Sequence, residues 1–196
     1  MGLKYAANYF ARTQLWGWDG TAFVQMGVKG TLDPYDRFVS EREFGLKRRM
    51  LLVPPSTPIP EQYTVVRLGQ TGPIYLRGWL NEDVYSDDTY SLIYLLHRAT
   101  DVGQLIGLTR TPKASGMAFT TTDAPLGNWH CNVERVTFAN SREFSQMRVT
   151  DVTITLPADC PVTSDHEFVV GGKRYVVQED YRSSGLVQVR AQVKNG

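Results

Sequence analysis

Val187-Gln188-Val189-Arg190-Ala191-Gln192-Val193 alternates apolar and polar residues without a break, which in an extended chain puts every apolar side chain on one face. The segment reads as a half-buried strand. It follows Ser183-Ser184-Gly185, a turn-forming cluster. Upstream, Phe168-Val169-Val170 and Tyr175-Val176-Val177 flank Gly171-Gly172, where glycine tolerates the positive φ angles that a tight hairpin turn requires. Phe168 to Val193 is therefore expected to form a three-stranded meander.

Outward from there, Val152-Thr153-Ile154-Thr155-Leu156 shows the same period of two. Further strands are expected over Ala22 to Val28, Met50 to Val53, Tyr63 to Leu68, Ile74 to Trp79, Ser91 to His97 and Asn132 to Phe138, separated by connections such as Pro54 to Pro60 and Gly69 to Pro73. Only Asp36 to Arg49 carries enough helix-formers for a helix, and Gly45 weakens it. The expected class is all-β, a β-sandwich or small β-barrels in two tandem similar halves, with at most a short helix. The expected division is an N-terminal aromatic arm or segment at 1–21, a first β half at 22–100, a linker at 101–115 and a second β half at 116–196.

The two halves are expected to be similar because Arg42-Glu43-Phe44 recurs as Arg142-Glu143-Phe144, and Arg48 has its counterpart in Arg148. After each comes an apolar strand ending at a proline, Pro55 and Pro157. A strand closed by glycine follows (Gly69, Gly171), then a strand containing tyrosine (Tyr75, Tyr175). A triplet identity arises readily by chance, so the ordered series carries the argument. The competing explanation is that β proteins with similar turns look alike.

Across 196 residues the net charge is +1, which supplies no large field to draw in nucleic acid or an anionic membrane. Hydrophobic residues at 42% and charged residues at 21% fit an ordinary globular chain that buries a core. No apolar run approaches a bilayer span, and Met1-Gly2-Leu3-Lys4-Tyr5-Ala6 lacks a signal-peptide or myristoylation pattern, so a cytosolic protein is expected. Cys131 and Cys160 are expected as free thiols.

The motifs of chemistry are missing. Neither GxxxxGK[ST], GxGxxG nor GxSxG occurs, and Ala114-Ser115-Gly116 is the nearest serine context. His97, His130 and His166 lack metal-ligand spacing, and on a strand His130 and Cys131 point to opposite faces. Glu82-Asp83, Asp87-Asp88 and Glu179-Asp180 sit beside expected turns, where solvated loop carboxylates are the simplest reading. A non-catalytic chain with no metal and no cofactor is expected.

Lys47-Arg48-Arg49 is the concentrated basic run. It either guards an edge strand against aggregation or faces DNA phosphates. Tyr5, Tyr9, Phe10, Trp16 and Trp18 crowd the first residues, as a partner-binding arm, as core, or as a sugar-stacking platform.

In its order of apolar strand, Gly-Gly, Tyr-Val-Val, acidic turn, Gly and alternating strand, Phe168 to Val193 resembles the end of phage head-completion, stopper and head-tail joining proteins. The resemblance covers about 26 residues and is a pattern rather than a signature. It implies a catalytically silent virion protein, assembled in the host cytoplasm into a ring-shaped homo-oligomer of the head-to-tail connector. Its partners would be itself, portal or adaptor and tail proteins, with transient packaged DNA and no membrane. On that reading Tyr5, Tyr9, Phe10, Trp16, Trp18, Gly171 and Gly172 are candidates for the subunit interface. Lys47, Arg48 and Arg49 are candidates for the DNA channel. The chain is longer than most single-barrel stoppers, which a duplicated barrel explains, and a collar, tail-associated or capsid-decoration role also stays open. Two other classes compete: a carbohydrate-binding β-sandwich stacking sugars on Trp16, Trp18 or Trp79, and, more weakly, a hydrolase with an unrecognised site.

Overall fold

A computed structural model describes residues 13–32, 48–85, 88–113, 119–135, 151–183 and 185–194. Among them are twelve strands and no helix. The first six are β1 (Thr13–Trp18), β2 (Phe23–Leu32), β3 (Arg48–Val53), β4 (Val65–Leu68), β5 (Ile74–Tyr85) and β6 (Asp88–Arg98). They close into a barrel in the order β1-β2-β3-β6-β5-β4, with β4 returning to pair with β1. The second six are β7 (Asp101–Pro112), β8 (Phe119–Arg135), β9 (Asp151–Pro157), β10 (Glu167–Val170), β11 (Lys173–Ser183) and β12 (Leu186–Val193). These close in the order β7-β8-β9-β12-β11-β10. Adding six to each label of the first ring gives the second, so both halves have one topology.

The likeness reaches individual register positions. Tyr75 pairs with Val66 and Tyr175 with Phe168, each one step into the short fourth strand of its barrel. Gly69 and Gly171 then leave that strand with φ of 74° and 57°, a region costly for side chains with a Cβ. The amide of Arg77 donates to Thr64 O at 2.8 Å, and that of Val177 donates to His166 O at 3.2 Å, extending both ladders equally. The proline that closes the strand is Pro54 in the first half, directly after β3, rather than Pro55. Both Arg-Glu-Phe triplets fall, in chain order, between the second and third strands of their halves, outside the described residues.

Closure requires alternation, because one face of every strand must fill the interior. Leu15, Val28, Leu51, Val66, Tyr94 and Leu96 do so in the first barrel, and Leu105, Ile154, Leu156, Phe168, Val187 and Val189 in the second. Met50 and Leu52 point the other way along β3 yet are also buried, as is Leu95 beside them. Burial on both faces is why Met50-Leu51-Leu52-Val53 reads as an unbroken apolar run.

Several expectations are corrected. Residues 13–18, assigned to an N-terminal arm, are the first strand of the first barrel. Residues 101–112, assigned to a linker, are the first strand of the second. By contacts the chain divides after Ala99 into two compact units, with Pro157–Asp159 and Ser183–Leu186 grouped with the first. The expected helix over Asp36 to Arg49 falls largely outside the described residues, and its last two residues begin β3.

The segment joining β3 to β4 is pinned from β5 and β6. The Ile59 amide donates to the hydroxyl of fully buried Tyr94 at 3.0 Å, and the Arg77 guanidinium donates to Glu61 O at 2.7 Å. Arg182 holds the corresponding segment of the second barrel by donating to Cys160 O and Val162 O, both at 3.2 Å. Tyr94→Phe leaves the Ile59 amide unpaired in a buried site, so a loss of about 1–3 kcal/mol is expected. Urea unfolding should show a lower midpoint at unchanged slope.

Candidate functional site

β7 and β8 run together well past the barrel to which they belong. Their register is unbroken from Asp101 opposite Cys131 to Pro112 opposite Phe119, save for one irregularity. There Leu105 faces Gly127 and Ile106 faces Pro125, so Leu126 is an extra residue, and Gly127 takes a φ of 116°. Such a bulge bends and twists the ribbon at its base. β10 reaches β7 only from Gln104 to Ile106, and β9 reaches β8 only from Asn132 to Arg135. Beyond them Gly107–Pro112 and Phe119–Ala124 form a two-stranded arm roughly 20 Å long at the usual rise per residue.

The arm is polar and exposed. Thr109 faces Thr122, Arg110 faces Thr121, Thr111 faces Thr120 and Pro112 faces Phe119. All eight are exposed, Phe119 at 62%. β-branched threonine keeps such a strand extended without a core to pack on. Both outer edges carry backbone donors and acceptors that no described strand pairs.

An ionic cluster braces the base of the arm. The Arg174 guanidinium forks onto Asp123 of the arm with distances of 2.8 and 2.7 Å, and its Nε donates to Glu167 on β10. Lys194 Nζ donates to the other Glu167 oxygen at 2.8 Å. The Glu167 side chain is only 4% exposed. Burial alone would push its carboxyl up, but hydrogen bonds from Lys194 and Arg174 and their charges outweigh that and hold it below the usual carboxylate range. The Arg174 hydrogen bonds likewise hold Asp123 low.

A second extension leaves the first barrel. β4 pairs with β5 only from Ile74 to Leu76, and β3 follows β6 no farther than Leu92, while β5 and β6 continue to Tyr85 opposite Asp88. Glu82 and Asp83, expected beside a turn, therefore lie in β5, and Asp88 begins β6. Glu179 and Asp180 likewise lie in β11.

Among the described residues, those singled out from the sequence do not converge. Tyr5, Tyr9, Phe10, Lys47 and Ser115 lie outside the described residues. Trp18 tilts against Phe23, centroids 5.1 Å apart, within a cluster that includes Val65 and Leu76. Arg67 lies 5.6 Å over Trp16 and 4.4 Å over Phe23. The faces a sugar would stack on are thus partly taken by protein; Trp79 lies on β5. Gly171 and Gly172 have φ of 57° and 73°, which the hairpin turn between β10 and β11 demands. Arg48 and Arg49 begin β3, which pairs with β2 at Leu51 and Leu52 and with β6 along its length. At Arg48 and Arg49 the described pairing is to β6 alone, since β2 joins β3 only at Leu51 and Leu52.

Among the described residues no three His, Cys, Asp or Glu side chains gather as a metal site. Cys131 is fully buried in the second core while His130 alternates to the other face, where burial lowers its pKa. Burial pushes the Cys131 thiol up to about 12, with Asp101 and Cys160 adding to the effect. Since the thiolate is the reactive form and Cys160 is fully buried, neither Cys131, for its raised pKa, nor Cys160, for its inaccessibility, is expected to react with a disulfide reagent in the native chain at mildly alkaline pH. Both should react once guanidinium unfolds it, and prompt native labelling would contradict the buried placement.

The arm, its brace and the acidic extension were not found from the sequence. Their one signal is the threonine content of Thr109–Thr111 and Thr120–Thr122. Compared with models of known protein families and with curated protein sequences, the chain matches none.

Proposed function

We propose that this chain is a structural assembly subunit, a virion protein of a tailed phage that forms part of the head-to-tail connector ring through contacts between copies. The β7–β8 arm carries the reading. A closed barrel has no sheet edge of its own, so a chain of two such barrels needs no partner to complete its sheets. The arm reverses that economy by exposing two edges on a ribbon that is marginal alone in water. Exposed edges are templates for pairing with another chain, which is what a ring subunit needs. The placement in a phage neck rests on the resemblance of Phe168 to Val193 to head-completion and stopper proteins. The repeated barrel fits a chain longer than a single-barrel stopper. Portal or adaptor and tail proteins would be its neighbours.

Native mass spectrometry of the purified full chain tests the assembly reading, and proteomics of purified particles tests the placement. A discrete multimer and stoichiometric presence in particles are expected. A strict monomer missing from particles would end the proposal.

A further inference from the structure

The two extensions carry opposite charge. Residues 107–124 hold Arg110, Lys113 and Asp123 as their only charged residues, and Asp123 is already forked by Arg174. Arg110 and Lys113 are exposed, so the β7 edge of this arm is basic. The outer parts of β5 and β6 carry Glu82, Asp83 and Asp88 in sequence and no Lys or Arg, so by sequence this extension is acidic. Beyond Leu76, β5 has no partner strand on its β4 side among the described residues, and β7 has none beyond Ile106 on its β10 side.

The geometry points to head-to-tail strand addition between copies: the basic β7 edge of one copy docks on the acidic β5 edge of the next. The inference rests on the assembly reading above and names its contact. Backbone hydrogen bonds along two extended edges would supply the pairing. The charges would select the partner edge, because β7 against β7 brings like charges together, as does β5 against β5. The two patches differ, so the contact is heterologous, the kind that closes rings. A second copy is the occupant because the chain itself provides both complementary edges.

Two double variants test it by sedimentation or native mass. One carries Arg110→Glu and Lys113→Glu, the other Glu82→Lys and Asp83→Lys. Each alone should weaken self-association by about a hundredfold, since the reversed residues then meet like charge in place of opposite charge. Mixed in equal amounts, they should associate again into assemblies containing both chains, because each reversed edge now finds an opposite one. Rising salt should weaken the wild-type assembly. Where a reversed chain fails to fold by circular dichroism, the Gln versions at the same positions replace it, with a smaller loss expected. A wild type that assembles while its variants assemble equally well overturns this contact and leaves the assembly reading standing. A variant loss without rescue on mixing also overturns it. A wild type monomeric at every concentration sinks the assembly reading itself.

Discussion

Gly103→Val is expected to destabilise the second barrel by about 3 kcal/mol or more, the upper range for overpacking a core. Gly103 lies on β7 where a Cβ would come within 2.7 Å of Phe168 Cζ. The Phe168 ring cannot step aside, because it is fully buried and its strand is held between Leu105 of β7 and Tyr175 of β11. Phe168→Ala alone should cost about 3–5 kcal/mol through the cavity it leaves. The double variant should cost clearly less than the two losses added, since valine would then occupy space the ring has vacated. Hydrogen exchange read over peptides from 100–135 would localise the effect to the second barrel. Wild-type protection in Gly103→Val would show that this glycine and ring do not meet as described. The first barrel offers a control, with Gly17 of β1 facing the Tyr63 ring. Tyr63 is only half-buried, so its ring has somewhere to go and Gly17→Val should be the milder change.

What the sequence reveals is which segments send an alternating apolar face into a core. Val152 to Leu156 and Val187 to Val193 appear as strands where expected, but β9 is buried along its whole length, Thr153 and Thr155 included, where a half-buried strand was expected. The Gly171-Gly172 hairpin was legible for another reason: its turn demands φ angles that glycine supplies. The outer parts of β7 and β8 were missed because they are exposed on both faces. Thr109, Arg110, Thr111, Thr120, Thr121 and Thr122 have no inside to mark with an apolar residue, so periodicity has nothing to report. β1 was missed for a different reason. Its inward Gly17 breaks the apolar alternation to admit Tyr63, and its outward Trp16 and Trp18 give the impression of an unpaired aromatic segment. The ionic brace was illegible because Asp123, Glu167, Arg174 and Lys194 are brought together by register and closure, not by spacing along the chain.

Arg174→Met should cost about 2 kcal/mol near neutral pH and little in acid. The substitution keeps the length of the apolar stem and removes only the guanidinium, so the loss is electrostatic rather than a packing defect. It strips the buried Glu167 carboxylate of one of its two cationic partners, and an uncompensated buried charge is costly. Lys194 stays in place and moderates the loss. The pH dependence has a definite sign. Glu167 is held below its ordinary range in the folded chain and returns to about 4.3 when unfolded. Its contribution is therefore fully present above that value and fades as pH falls through the lower folded one. Wild type and variant should converge there, because a protonated Glu167 needs no cation. Guanidinium or urea midpoints measured from neutral pH down to about 3 would trace the closing gap. A gap of constant width would mean that Arg174 acts through packing alone. The same variant releases Asp123 and with it the base of the β7–β8 arm, so amides of 107–112 and 119–124 should exchange faster while the inner barrel strands keep their protection. Loosening confined to the arm would establish that the brace sets the arm's position, and hence the rigidity with which one copy presents its edge to the next.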